Sequence, residues 1–558
     1  MASAHTSSIE ATPNQFTPRQ QSLPWGLFAV AFLLILPALA VLSSLAGLAA
    51  PRATDIGAER LATTVTYFQG TVFLCLGVGF VASVLGVTAA CLVTLCRFPG
   101  RAVFSIALLL PFAVPAYIAA YCYGDFLSPF GGLRSVFAAL GVSLSPSMLP
   151  NIRSLPGAIM IIALTVYPYV YMAVRADLTA RSDSFLEVAR SLGTNRVGAI
   201  INILLPCARP AILGGLALAL METAADFGVS DYFGIRTLTT GIFRTWYGLG
   251  DLTAAAQLAS GLFVVAAFLV LLDEVGRRAR YNNPVRRARP IARLALSPLA
   301  SLAAIVFCAI PVVLGFVVPV GVLVAHSIGT GLSPTSLQTL WAASGNTLFF
   351  ALGAAVVIMG LAVLLGYGAR RSAASTSNSK ATTIIIRMAT LGYAIPGAVI
   401  AVGILFVSGA LFKPLGFSVT QGGILVLLYA YVARFITAGY NAAHGGLTQI
   451  SPLMDMAGRS LGVAGARLVR TVHVPLALPA LASGAIIVMI DVSRELPATL
   501  LLRPFNVETL ATSVYRLAAD ERLDAAAPMA LALIIAGLIP LSLLAVGRRP
   551  HHAGAQTH

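Results

Sequence analysis

Residues 187–193 read EVARSLG, residues 456–462 read MAGRSLG, and the two stretches stand 269 residues apart. At the same spacing Arg190 falls opposite Arg459, Gly193 opposite Gly462, Pro206 opposite Pro475 and Pro210 opposite Pro479. Further along, Gly215 meets Gly484, Glu222 meets Asp491 and Asp226 meets Glu495. After a small insertion the spacing becomes 271, which aligns the alanines at 254–256 with those at 525–527 and GRR at 276–278 with GRR at 547–549. Upstream, Pro115 in LLLPFAVPAYIAA and Pro396 in LGYAIPGAVIA occupy comparable places at a spacing of 281. Coincidences at so nearly fixed a spacing mark an internal duplication, and a repeat has to be recognised before any single motif is weighed.

Each copy is mostly apolar. Of the 558 residues 58% are hydrophobic and 10% charged, with a mean hydropathy of +0.88, against roughly 25% charged in an ordinary soluble domain. Runs such as Trp25 to Ala49, Val72 to Leu95, Leu155 to Val174 and Leu348 to Tyr367 reach the roughly 20 apolar residues that a spanning helix needs. They are continuous and do not alternate over about ten residues, which excludes a barrel. The expectation is an all-α integral membrane protein of about twelve spans, about six in each copy. An even number returns the chain to the same side before the second copy begins, so the repeat is parallel, unlike the inverted repeats of many secondary transporters.

The formal charge of +16 would suit a nucleic-acid surface in a soluble protein, but its placement follows the membrane. With a cytoplasmic N-terminus, the inside loops collect Arg97 and Arg101, Arg175 to Arg209, Arg277 to Arg293, Arg370 to Arg387, Arg434 to Arg470, and Arg548 with Arg549. That puts 25 of the 36 Lys and Arg inside and 10 outside, with Arg494 within a span. This is the positive-inside rule; it places both termini in the cytoplasm and removes any need for a nucleic-acid partner. Residues 1–23 lack the apolar surface to order themselves and read as a tail. Seven arginines and two prolines between 273 and 293 interrupt the membrane pattern. They mark a linker at 274–293 between membrane domains at 24–273 and 294–547, with a second tail at 548–558. The six cysteines are scattered with no CxxC pair and read as small core residues. No cleavable signal is evident, and the first apolar run is expected to stay as the first helix.

The inside loop at 175–210 has a readable plan. Asp183 or Ser184 can cap a helix FLEVARSLG, whose Phe185, Val188, Ala189 and Leu192 recur at helical spacing. Gly193 supplies a left-handed stop, and VGAIINILL leads to Pro206, whose fixed φ suits a helix start. The loop at 441–479 repeats the plan with Asp455, Leu461, Gly462 and RLVRTVHVPLALP, which contains Pro475 and Pro479. In duplicate this resembles the EAA motif of ABC importer permeases, in which an EAA triplet, a later Gly and an apolar-Pro pair build the coupling helices that dock into the ATPase subunits. Glu187, Gly193 and Pro206 match it, as do Gly462 and Pro475. Met456 stands where the family's Glu would be, with Asp455 one residue earlier.

The resemblance covers both halves. It implies two tandem six-helix permease domains of the type I importer kind and two copies of an ABC ATPase. The chain has no GxxxxGK[ST] loop of its own, so ATP and Mg²⁺ are expected on the partner, with no catalytic residue, cofactor or metal site in this chain.

Glu222 and Asp226 lie four residues apart and are expected on one helix face, as are Asp491 and Glu495, accompanied by Arg494. Acids inside a bilayer are costly and face either a partner or a water-filled path. In the first case Arg494 neutralises Asp491 and Glu495 while Glu222 and Asp226 hydrogen-bond across helices. In the second, the four carboxyl groups line a translocation route, and their oxygens suit a hard cation.

The stretches ETAADFGVSDYFGIRTLTTGIFRTWYGLGDLTAAAQLA (222–259) and SRELPATLLLRPFNVETLATSVYRLAADERLDAAA (493–527) resemble the fused permeases of ferric-iron importers. That resemblance implies a bacterial inner-membrane location and a periplasmic or lipoprotein-tethered ferric-binding protein. Permeases for thiamine, polyamine or phosphonate share the coupling loops and remain alternatives. A gradient-driven secondary transporter could also use intramembrane acids, but the parallel repeat and paired loops argue against it. A membrane enzyme would need a convergent nucleophile, base and orienting residue, which the sequence lacks.

Overall fold

In lipid a peptide group can bond only within the protein, so long apolar runs close their hydrogen bonds locally as helices. The computed structural model describes residues 25–44, 56–143, 145–191, 198, 200–281, 293–330, 334–373, 379–412, 423–463 and 465–546. The first half runs through α1 (Trp25–Ser43) and α2 (Ile56–Leu95), then a broken span made of α3 (Arg101–Ala107), a tight turn at Leu110–Ala113 and α4 (Ala116–Phe126). It continues with α5 (Leu155–Ser191), α6 (Leu205–Ala225), the short α7 (Gly228–Tyr232) and α8 (Leu238–Phe243), and α9 (Leu252–Tyr281). The second half repeats this order as α10 (Pro298–Val312) with α11 (Val318–Thr330), α12 (Pro334–Ala373), the broken span α13 (Ser379–Ala389) with α14 (Gly397–Phe412), and α15 (Ile424–Thr448). The coupling segment α16 (Pro452–Ser460), then α17 (Val474–Arg494), α18 (Pro497–Leu502), α19 (Leu510–Ala519) and α20 (Leu523–Val546) complete it.

Among the described residues nine helices are long and apolar enough to cross a membrane, and the two broken pairs raise this to eleven. Counting α20, a shorter apolar helix, gives the expected twelve in two sets of six.

The broken spans bend by 88° and 104°, at Pro115 and Pro396. Proline pushes the preceding residue out of the helical region: Val114 sits at φ −92, ψ 114 and Ile395 at φ −86, ψ 120. A second paired irregularity precedes the loop prolines, where widened turns at Ile200–Leu204 and Val469–His473 stand in register with the repeat. Proline cannot donate to the carbonyl one turn back, and a widened turn relieves its ring.

The halves interleave. The first helix of each crosses onto the other half: α1 packs on α14, and the α10–α11 segment packs on the first half's broken span. A Cβ at Gly403 would lie 2.1 Å from the Pro37 carbonyl oxygen, and one at Gly315 would lie 2.8 Å from Pro111 Cβ.

Three expectations change. The helix expected to start at a cap near Asp183 is a continuation of α5, because Arg175 to Ser191 contains no Gly or Pro to break it. The first domain's last helix runs to Tyr281, past the expected boundary at 273. A two-residue parallel pairing, β1 (Cys96–Arg97) with β2 (Leu294–Ala295), adds an unexpected strand contact. The tails and residues 282–292 of the linker lie outside the described residues.

Small residues let membrane helices approach closely. A Cβ at Gly215 on α6 would come within 2.8 Å of Val170 Cα on α5, and one at Gly484 on α17 within 2.5 Å of Ala442 Cβ on α15. Gly215→Leu and Gly484→Leu should each destabilise the protein by about 1–3 kcal/mol, seen as a lowered melting temperature in detergent; an unchanged melting point for both would refute this packing.

Candidate translocation site and coupling surfaces

Helix α6 ends at Ala225 and α17 at Arg494, so Asp226 and Glu495 are the first residues past their helices and do not share a helix face with Glu222 and Asp491. Both are extended, at φ −63, ψ 129 and φ −68, ψ 120, and each caps the short helix that follows. Asp226 Oδ2 accepts from the Ser230 amide and hydroxyl at 3.0 Å. Glu495 Oε1 accepts from the Ala498 amide at 3.0 Å, and its Oε2 from the Thr499 amide at 2.9 Å and hydroxyl at 2.8 Å. A carboxylate placed there satisfies amides that have no helical partner.

All five residues singled out for a path, Glu222, Asp226, Asp491, Arg494 and Glu495, line one cavity of about 190 Å³ between the halves. The pairing inside it differs from the sequence reading. Glu495 is neutralised by Arg434 on α15, at 2.6 Å, and not by Arg494. Arg494 donates to the Phe112 and Ala113 carbonyls of the opposite half at 3.1 and 2.9 Å; these belong to the turn that ends at the Pro115 break. Glycines make room for both guanidinium groups: a Cβ at Gly397 would lie 2.1 Å from Arg434 Nη1, and one at Gly537 would lie 1.3 Å from Arg494 Nη2. Arg434, read from the sequence as an inside-loop residue, is therefore an intramembrane side chain. Glu222 and Asp491, equivalent in the repeat, make no hydrogen bond among the described residues and face the cavity together. The buried Tyr117 hydroxyl at its wall also lacks a partner.

Beyond the breaks a wider cavity of about 1120 Å³ opens among α7, α8, α18 and α19. Each half reaches across to the other there: the Tyr247 hydroxyl donates to the Leu500 carbonyl, and the Tyr515 hydroxyl to Asp231 Oδ2, both at 2.6 Å. Reciprocal Thr caps, Thr237 with Thr240 and Thr509 with Thr512, start α8 and α19. Thr71 and Thr347 each accept the next amide, Leu238 and Leu510, at 2.8 Å.

On the opposite face, Gly462 ends α16 at φ +75, in the left-handed conformation expected of a stop residue, and Pro206 and Pro475 open α6 and α17. Gly193 lies outside the described residues, as does the side chain of Glu187. Asp455 turns inward from α16. Arg370 Nε reaches its Oδ2 at 2.9 Å and His473 Nε2 its Oδ1 at 2.7 Å, while Arg370 Nη1 also covers the Leu447 and Ile450 carbonyls at the end of α15. Burial pushes the Asp455 carboxyl up, but the hydrogen bonds from Arg370 and His473 outweigh it and hold the group below the usual carboxylate range. Leu453, Met454, Met456 and Leu461 are left exposed on this segment.

Two interleaved, parallel-repeated halves around a polar cavity, with a loop helix exposed on one face, define a membrane permease. Residues 77–278 match the family described as binding-protein-dependent transport system inner membrane component. Residues in the first half thus carry the membrane component of a binding-protein-dependent transport system, and the internal repeat gives the chain the length of a fused two-domain permease. It is 27% identical to the Fe(3+)-transport system permease protein FbpB 2 of Haemophilus influenzae, over 88% of this chain and 93% of that one. It is 24% identical to the probable ABC transporter permease protein y4fN of Sinorhizobium fredii, over 86% and 88% of the two chains. The sulfate transport system permease protein CysT of Salmonella typhimurium is 24% identical over 46% of this chain and 93% of its own length, so a single-domain permease corresponds to about one half here.

The Asp455 carboxyl is depressed on folding, so its contribution is fully present above the unfolded value of about 4 and fades only as pH falls through the folded value. Asp455→Asn should therefore cost about 2 kcal/mol at neutral pH and progressively less in acid, measured as the melting-point difference from wild type across pH 7 to 3. A difference that grows in acid would contradict the assignment.

Proposed function

We propose that this permease carries ferric iron inward across the membrane, received on the side of the wide cavity from a periplasmic or tethered binding protein. Two ATPase copies, holding ATP and Mg²⁺, drive it through the loops at 175–210 and 441–479, and both termini are cytoplasmic. The observation that carries the substrate is the state of the cavity's polar groups. The carboxyls of Glu222 and Asp491 both face the cavity and hold no hydrogen bond, while Arg434 Nη1 is paired with Glu495 and two nitrogens of Arg494 are committed to carbonyls. Two carboxyl groups without hydrogen bonds facing one cavity offer hard oxygen ligands to a cation and would repel an oxyanion such as sulfate. The match along nearly the whole length of a relative named for Fe(3+) transport supports the same reading.

In a strain lacking its own ferric uptake, the chain with its ATPase and binding protein should restore uptake of labelled ferric iron. The Glu222→Gln, Asp491→Asn double variant should lower it about tenfold or more, the scale of one lost charged contact. Restoration of sulfate uptake instead, or full activity of a correctly inserted double variant, would overturn the proposal.

In the coupling loops, Glu187 and Gly193 of the first copy act on the ATPase more strongly than Met456 of the second, whose neighbour Asp455 is committed to Arg370 and His473. Glu187→Gln or Gly193→Ala should uncouple ATP hydrolysis from uptake in proteoliposomes more severely than Met456→Ala. Equal effects at 187 and 456 would mean that the asymmetry has no function.

A further inference from the structure

On the face that carries the coupling loops, the turn after α2 and the end of the linker form a separate pocket of about 500 Å³, lined by Arg97, Phe98, Gly100, Arg101, Ala102 and Arg293. Three of its six lining residues are arginines and none is an acid. The short β1–β2 pairing, Arg97 with Ala295 and Cys96 with Leu294, brings the linker's end to the α2–α3 turn, so that Arg97 and Arg293 line the same pocket. Arg101 is fixed from below by its Nη1 bond to the Val93 carbonyl at 2.9 Å. Arg175, held by the Ser105 carbonyl at 2.6 Å, lies near enough, with Arg293, for its charge to repel that of Arg101. Arg97 and Arg293 make no ion pair among the described residues. Positive charges gathered at this cost, without a counter-charge among the described residues, call for an anion from outside.

The walls decide which anion. The pocket is lined by the start of α3 and by Arg293, just ahead of α10; the two helices pack together, and both carry exposed apolar side chains, Val103 and Ile106 on α3 and Leu299, Leu302 and Val306 on α10. Such side chains lie against acyl chains. Guanidinium groups match phosphate oxygens in bidentate fashion, and basic pockets between membrane helices take lipid head groups. We propose that Arg97, Arg101 and Arg293 form a phosphate-binding site occupied by the head group of an anionic phospholipid, whose chains run along α3 and α10. A lipid seated there ties the linker's end to the α2–α3 turn and so joins the two halves on the coupling side.

The test uses the full chain, purified in detergent and placed in nanodiscs of phosphatidylcholine with a minor share of phosphatidylglycerol, with bound lipid read by native mass spectrometry. Wild type should retain phosphatidylglycerol over phosphatidylcholine by about tenfold relative to the bulk mixture, and the Arg97→Gln, Arg293→Gln variant should bring that enrichment close to one. Equal enrichment in wild type and variant overturns the site. Displacement of the lipid by millimolar inorganic phosphate would assign the pocket to free phosphate and overturn the lipid source. If the double variant does not fold, Arg293→Gln alone, at an exposed position, should reduce the enrichment about threefold, and no reduction again overturns the site.

Discussion

A helix broken inside a membrane leaves amides and carbonyls that no solvent can satisfy, and this chain breaks four of its helices in two pairs related by the repeat. The breaks at Asp226 and Glu495 are closed by the carboxylates themselves, turned onto the amides of the next short helix. The break at Pro115 is closed from the opposite half by Arg494, which spans two freed carbonyls. Polar side chains are thus required at the centre of the molecule for structural reasons before any substrate is considered. The cavity exists because those same groups gather at the seam between halves, and transport draws on chemistry that the broken backbone already demands.

The duplication made much of this legible. Its fixed spacing aligned Asp226 with Glu495 and Pro206 with Pro475, and the structure adds the widened turns at Ile200–Leu204 and Val469–His473 in the same register. Five path residues could be named because acids in apolar surroundings stand out. What sequence reasoning missed was pairing. Arg494 and Glu495 are adjacent, and neighbours along a chain do not face each other; the true partner, Arg434, comes from another helix. Its signal was present, an arginine set between YAYVA and FITAG, but counting it with the inside loop concealed it. The helix start expected at Asp183 failed for a related reason, since a capping residue starts a helix only where something has stopped the previous one.

The halves have also diverged where the repeat is weakest. At the spacing of 269, Arg494 stands opposite Ala225, His473 opposite Leu204 and Met456 opposite Glu187. The first substitution gives the second half the side chain that holds the first half's break. The second supplies one of the two partners that draw Asp455 inward, leaving α16 to present Leu453, Met454, Met456 and Leu461 as an apolar surface. In the second half a helix stops at Thr448 and α16 starts afresh at Pro452, while in the first α5 runs unbroken to Ser191. One half therefore offers a hinged, apolar contact and the other a rigid extension of a spanning helix. The two loop segments are thus mechanically different.

The two sites are joined by α6 and α17. Each has 21 residues, a length of about 32 Å at 1.5 Å per residue, with a loop proline at one end and a cavity carboxylate at the other. A helix of this length transmits displacement as a rigid body, provided its ends can give and its middle is held. The widened turns before Pro206 and Pro475 supply the yielding end. The close crossings at Gly215 and Gly484 lie between the ends and hold each helix against α5 or α15. Motion at the loops then reaches the cavity as a tilt about those crossings, carrying Glu222 and Asp226 on one side and Asp491 and Glu495 on the other. Because the caps move with their helices, the short helices beyond them and the wide cavity's walls must follow.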